Sequence, residues 1–499
     1  MEKGNVLFIV FDQVTAVALN GPLADQTPTP NIDRLATQST VFRNHYTVTI
    51  PCGPARASLL TGLYAMNHRS IRNGTPLARH HATVATEARK AGYEPLLFGY
   101  SDATIDPDGI DPEDPILTQY EGVAPGYREV VELRSDEGFE WPAYLRGKGY
   151  EFEMEPRKPI PLFYGPRAGE IPGPRAPTLF SAEDSDSAYL TDRTIEGLDV
   201  RRGKPWFAHL TYIRPHPPLI APEPYNTLID EDTLPGPSPD RLAHPFLDAW
   251  NSAPANRGLY WGFDGDFSKL DDAKHRELRA VYLGLLAEVD VHVGRLLDWL
   301  ENTGQADHTL VILTSDHGEM LGEQGIWGKD CVFENAYHVP LIIRDPRQSS
   351  LGREITELTE SIDVTPTILD WIGVERPPAM DGRSLLPFVS GSPPGDWKDA
   401  VFMEADFGHP SRPTRFQSHL GLATNQSSVS ILREARWKYV HFGGGIDPLL
   451  FDLDADPLET RNLANDPAHT AELSRMARKM IDRMCERRDR RLTGFSFGV

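Results

Sequence analysis

Cysteine is scarce: the 499 residues hold only three, Cys52, Cys331 and Cys485. Three thiols this scattered build neither a disulfide framework nor a cysteine-rich zinc cluster. Positive charge is also short, with 50 Lys and Arg against 72 Asp and Glu, for a net charge of -22. Such a chain is a poor partner for nucleic acid and repels anions at long range. Any anion site in it must therefore be locally basic or centred on a metal. No apolar run reaches the roughly 18 residues of a membrane span, and Met1-Glu2-Lys3-Gly4 leads directly into a strand-like segment. These features predict a soluble cytoplasmic protein with no signal peptide. No internal repeat or low-complexity tract is present.

What is present is a series of buried-strand runs. Asn5 to Phe11 is continuously apolar and ends in Asp12-Gln13. Thr309 to Thr314 repeats the design and ends in Ser315-Asp316-His317-Gly318-Glu319. Runs of this kind are typical of strands covered on both faces in α/β folds, which place their ligands at the carboxyl ends of the strands. Further strands are predicted at Tyr93 to Tyr100 and Pro205 to Ile213. Helices are predicted at Thr29 to Ala36, His81 to Lys90, Ser185 to Gly197 and, with one broad apolar face, Lys274 to Asn302. Residues 105–180 and 219–274 read as irregular insertions over the core, the second rich in aromatic residues better explained by packing than by a ligand wall. From about residue 390 short strands with turn signals predict a small antiparallel sheet, and Leu473 to Arg491 a final charged helix suited to a surface or oligomer contact. The fold class is α/β: a large mixed, mostly parallel sheet sandwiched by helices (1–385), then a smaller C-terminal antiparallel-sheet subdomain (386–499).

The segment Pro51 to Gly62 organises the rest. Pro54 suits a first helical turn, Ala55, Ala57, Leu59 and Leu60 propagate it, and Gly62 suits its C-cap. Cys52 then stands at a helix N-terminus, where the free N–H groups favour an anion or a thiolate. Arg56, one turn on, can reach the same anion. A structural cysteine before an ordinary helix reads the same way locally.

Cys52-x-Pro54-x-Arg56, extended by Leu60-Thr61-Gly62, resembles the signature of the type I sulfatases and of their relatives the phosphonate monoester hydrolases, in the alkaline phosphatase superfamily. The resemblance runs over nearly the whole chain, with its specific motifs at 12–13, 52–62, 214–218 and 316–329. It implies that a formylglycine-generating enzyme oxidises Cys52 to formylglycine, whose hydrate is the nucleophile. One hydroxyl of the hydrate attacks sulfur or phosphorus, and loss of the proton from the other lets the intermediate break itself down. It implies one divalent metal ion, Mn²⁺ or Ca²⁺, held by Asp12, Gln13, Cys52, Asp316 and His317. The histidine tilts the choice toward Mn²⁺, and Gln13 in place of a second aspartate leaves the site one charge poorer. It implies catalytic roles for Cys52, Arg56, His216 and Lys329, and substrate contacts by Asn73, Tyr100 and Asp102. Asp102 departs from the phosphonate branch, which carries a threonine in this loop. The predicted activity is hydrolysis of monoanionic esters, with arylsulfatase placed slightly ahead and phosphonate monoester or phosphodiester hydrolysis as the alternative. A non-catalytic metal- or anion-binding protein of the same fold is the reading from a different class. The expected partners are a small-molecule sulfate or phosphonate ester and further copies of the chain as a homo-oligomer, with neither nucleic acid nor membrane.

Overall fold

Strand β1 (Asn5–Asp12) is buried along its whole length. Its side chains alternate: Leu7, Ile9 and Phe11 enter one hydrophobic cluster, and Val6, Phe8 and Val10 enter another on the opposite face. A central strand with period-2 alternation and no polar face requires cover on both sides. The long helix Asp272–Asn302 and the helix Asp186–Asp199 cover the first face. The helices Cys52–Thr61, Val84–Lys90 and Val364–Trp371 cover the second. The computed structural model describes residues 3–134, 138–152, 166–167, 169–348 and 352–489.

The other strands of this sheet are β2 (Thr40–Phe42), β4 (Pro95–Gly99), β5 (Arg128–Glu132), β6 (Phe207–Pro215), β7 (Thr309–Ser315), β8 (Leu341–Arg344) and β9 (Arg353–Ile355); a two-residue strand β3 (His45–Tyr46) lies apart. Their order is β5-β4-β6-β1-β7-β8-β2-β9. All neighbours run parallel except those of β8, which is antiparallel to both β7 and β2. The predicted large, mostly parallel sheet is therefore present.

One difference from the sequence reading bears on it. The expected irregular excursion over 105–180 contributes β5 as the sheet's edge strand and the helix Glu140–Gly147; residues 135–137, 153–165 and 168 of it lie outside the described residues. In the stretch 219–274, Phe246 and Trp250 are buried in a core shared with the C-terminal sheet, so they pack as the sequence suggested. That sheet holds four antiparallel strands at Ala400–Asp406, Ser428–Glu434, Trp437–Phe442 and Leu449–Asp452. The last helix, Thr470–Glu486, seats Met476 and Met480 in the core beneath them; residues 490–491, the predicted end of that helix, are not among those described. No helix among the described residues is long and apolar enough to cross a membrane.

Candidate active site

The carboxyl ends of β1 and β7 are stitched together. Phe11 pairs with Ser315, the Asp316 N–H donates to the Phe11 carbonyl at 3.1 Å, and the Gln13 N–H donates to Asp316 Oδ1 at 3.1 Å. Parallel register at the centre of the sheet thus sets Asp12 and Asp316 side by side, 304 residues apart in the chain. Ser315 Oγ accepts the Val14 N–H at 2.8 Å and fixes the turn after β1.

Cys52 joins them as the first residue of its helix, which ends as predicted at Gly62 with φ 67°. A left-handed residue there costs glycine nothing and lets its N–H reach the Ser58 carbonyl. The residue before the helix offers no side-chain cap; instead Asn73 Oδ1 accepts the Gly53 N–H at 2.9 Å. Cys52 Sγ lies 3.2 Å from His317 Nε2 and 3.9 Å from Asp12 Oδ1. One donor atom from each of Asp12, Cys52, Asp316 and His317 lies within 4.8 Å of the others, and all four residues are buried. His317 Nδ1 is 3.0 Å from the Gly318 carbonyl. A neutral ring donating there leaves the Nε2 lone pair facing the thiol, the tautomer a metal ligand requires.

The two acids of this cluster are pushed in opposite directions. Burial alone would raise Asp12, but His216, Arg56, Lys329 and His317 hold its carboxyl well below the usual range. Burial and the neighbouring Asp12 charge push Asp316 up to about 7, against the pull of Arg56 and Lys329. Two buried carboxylates this close are not both ionised without strong compensation. Burial and then Lys329 push His317 well below its ordinary value, keeping it neutral. Two hard oxygens, an imidazole and the residue at 52 form a mixed donor set suited to one divalent ion.

Arg56 is 1 % exposed and lies between the two acids. Its Nε donates to Asp316 Oδ2 at 3.0 Å and its Nη2 to Asp12 Oδ2 at 3.2 Å. Nη1 reaches Thr211 Oγ1 at 3.4 Å, and the guanidinium lies 4.4 Å from the centre of the Tyr100 ring. The Tyr100 hydroxyl accepts from Arg56 Nη2 and donates to Asp12 Oδ2. Arg56 and Tyr100, expected at the substrate, thus direct these bonds to the Asp12 and Asp316 carboxylates. Lys329 Nζ donates to Gln13 Oε1 at 2.6 Å. Burial would lower this lysine, yet the charges of Cys52, Asp12 and Asp316 keep it protonated. His216 Nδ1 is 2.5 Å from the Pro217 carbonyl, and burial followed by Lys329 lowers it to about 4. Asp102 follows β4 in the left-handed backbone region, φ 47°, and its carboxyl is pushed well above the usual range by burial and Glu121.

Two residues had no role in the sequence reading. Glu319 accepts from the Gln13 side-chain amide and, at 2.6 Å, from the Gly328 N–H, tying the end of β7 to the loop that carries Lys329. Its place in the Ser315 to Glu319 run was the available signal. Thr211, on the neighbouring strand, carries none.

The sulfatase family profile matches residues 4–374. This chain belongs to the sulfatase family. A second profile, the C-terminal region of N-sulphoglucosamine sulphohydrolase, matches residues 322–487. The sulfatase-family chain is 39% identical to the multifunctional alkaline phosphatase superfamily protein PehA of Trinickia caryophylli, over 99% of this chain and 98% of that one. It is 30% identical to the choline-sulfatase of Rhizobium meliloti, over 93% of this chain and 83% of that one. Among solved structures, the phosphonate monoester hydrolase SpPMH of Silicibacter pomeroyi superposes with a TM-score of 0.93 at 45% identity, covering 99% of this chain and 98% of that one. The phosphonate monoester hydrolase of Agrobacterium radiobacter gives a TM-score of 0.90 at 37% identity, covering 98% and 97%. The protein is a hydrolase of the sulfatase and alkaline phosphatase superfamily, a family that works with a divalent metal and formylglycine.

Proposed function

We propose that this hydrolase cleaves phosphonate monoesters and phosphodiesters, with sulfate monoesters as a second activity. The observation that carries the catalytic reading is the buried gathering of Asp12, Cys52, Asp316 and His317. The order of substrates reverses the one favoured from sequence. Its support is the near-complete overlap with two phosphonate monoester hydrolases at 45% and 37% identity, against 30% for a sulfatase.

Asp12, Asp316, His317 and the residue at 52, with Gln13 beside them, would hold a divalent ion, which would supply Lewis acidity toward a substrate oxygen and the nucleophile. Formylglycine at 52, in hydrated form, supplies the attacking hydroxyl. An unmodified Cys52 is a poor nucleophile here, because burial and then Asp12 push its thiol well above the ordinary value. Arg56 and Tyr100 hold the two ligand carboxylates in place. Lys329 Nζ, fixed by Gln13, meets charge building on the non-bridging oxygens. The His216 side chain, with Nδ1 anchored on Pro217, presents Nε2 to the leaving oxygen, and the arriving anion raises its proton affinity. Asn73 caps the start of the helix that carries residue 52 by accepting the Gly53 N–H, and so holds that residue in place beside the anion.

One ion offsets less negative charge than two, so monoanionic esters suit the site and phosphate monoester dianions do not. Turnover of 4-nitrophenyl phenylphosphonate and 4-nitrophenyl sulfate tests the reading. A preference of at least about tenfold for the phosphonate is expected; the reverse preference overturns the order. Mass spectrometry of the Cys52 peptide from a host containing the modifying enzyme separates catalysis from mere binding. Formylglycine is roughly 18 Da lighter than cysteine, and a wholly unmodified peptide contradicts covalent catalysis.

A further inference from the structure

Asp102 sets an acid beside a site built for anions. It is 4 % exposed, close to the 6 % of Cys52. Its carbonyl oxygen lies 3.3 Å from where a Cβ on Gly53 would sit, next to Asn73 Oδ1 at 3.1 Å, so the residue borders the start of the nucleophile helix. Among the described residues its Oδ1 has no hydrogen-bond partner. Glu121, itself 6 % exposed, is the charged group acting on it most strongly, ahead of Arg56, Asp12 and Asp316. Arg56 is the one cation among those four, and it is already shared by Asp12 and Asp316.

A buried carboxyl oxygen without a bonded partner is costly, and the carboxylate form, already disfavoured by burial and Glu121, also repels the anion that the rest of the site attracts. Both costs fall if the substrate brings its own positive charge. A zwitterionic ester, neutral overall, also escapes the long-range repulsion of a chain with net charge -22. We propose that Asp102 is a specificity-determining residue that selects esters whose organic part carries a cationic hydrogen-bond donor, an ammonium above all. This rests on the ester-hydrolase reading above and names the substrate class within it.

The test compares 4-nitrophenyl 2-aminoethylphosphonate with 4-nitrophenyl propylphosphonate, which exchange an ammonium for a methyl group at equal chain length. The expected kcat/KM ratio in the metal-loaded enzyme is at least about tenfold in favour of the ammonium ester. Asp102→Asn keeps a side chain that tolerates the left-handed backbone. It is expected to raise kcat/KM for the propyl ester and lower it for the aminoethyl ester, bringing the ratio to within about threefold. A ratio near one in the unaltered enzyme, or a ratio that survives in the variant, overturns the proposal. Calorimetric binding of the free acids, 2-aminoethylphosphonate and propylphosphonate, gives the same comparison without turnover. If neither phosphonate ester is cleaved while 4-nitrophenyl sulfate is, the substrate order fails, and the binding ratio alone upholds or overturns the role of Asp102.

Discussion

Replacing Arg56 by methionine tests how the centre is held together. The guanidinium is buried between Asp12 and Asp316, with contacts of 3.2 and 3.0 Å. Methionine keeps much of the volume and removes the charge. In metal-free protein this leaves two buried carboxylates facing each other, a loss of about 3–5 kcal/mol for breaking such a pair. Unfolding entropy of about 2.1 cal/mol/K per residue over 499 residues gives roughly 1 kcal/mol/K. The melting temperature of the chelated variant should thus fall by about 3–5 °C if the chain melts as a unit. With metal bound, the ion neutralises the same two carboxylates, so the deficit should shrink to less than half. Differential scanning calorimetry of both proteins, in chelator and in saturating Mn²⁺, measures this. Equal shifts in the two conditions, or a shift under about 1 °C in chelator, would refute the view that Arg56 holds the ligand acids together.

Other perturbations have equally definite outcomes. Lys329→Met should lower kcat/KM for 4-nitrophenyl phenylphosphonate by about 10²–10³, the usual loss for one preorganised donor to developing charge; a loss under tenfold would place the ammonium off the reacting group. Asn73→Ala frees the Gly53 N–H and should cost about 1 kcal/mol in urea denaturation, as for a lost helix cap; no change would mean that water replaces it fully. Glu288 is fully buried, and burial followed by Asp186 raises its carboxyl from 4.5 to about 8. A raised acid favours the folded state when protonated, so its penalty is absent below about pH 4.5 and grows as pH rises toward 8. Glu288→Gln should match the unaltered protein near pH 5 and gain a few kcal/mol on it by about pH 8. A difference that stays flat across that range, read from urea midpoints, would contradict this burial cost.

The parts legible in the sequence are those set by local periodicity. The runs at Asn5 to Phe11 and Thr309 to Thr314 could be covered only on both faces, and each ended in the acid that now sits in the cluster. Pro54 and Gly62 bounded the helix that starts at Cys52 because their backbone preferences admit few other uses. Strand β5 was missed because an edge strand is half-exposed and its Arg128 to Glu132 sequence carries two acids and an arginine. The aim of Arg56 could not be read: one helical turn from Cys52 suits a bound anion and a ligand carboxylate equally, and only the neighbouring strands decide. Glu319 and Thr211 matter through partners hundreds of residues or a whole strand away, which no local pattern encodes. The substrate preference was the least legible, since Gln13, His317 and Asp102 point in different directions until the overlap with phosphonate monoester hydrolases weighs in.

The central claim is that residues near 12, 52 and 316 share a single cation. Anomalous diffraction from metal-loaded crystals, collected on both sides of the metal's absorption edge, tests it directly. The account predicts one strong anomalous peak within bonding distance of Asp12, Asp316, His317 Nε2 and the oxygen of a formylglycine at 52. A peak elsewhere, or none beside these four residues in protein shown to contain stoichiometric metal, would contradict it.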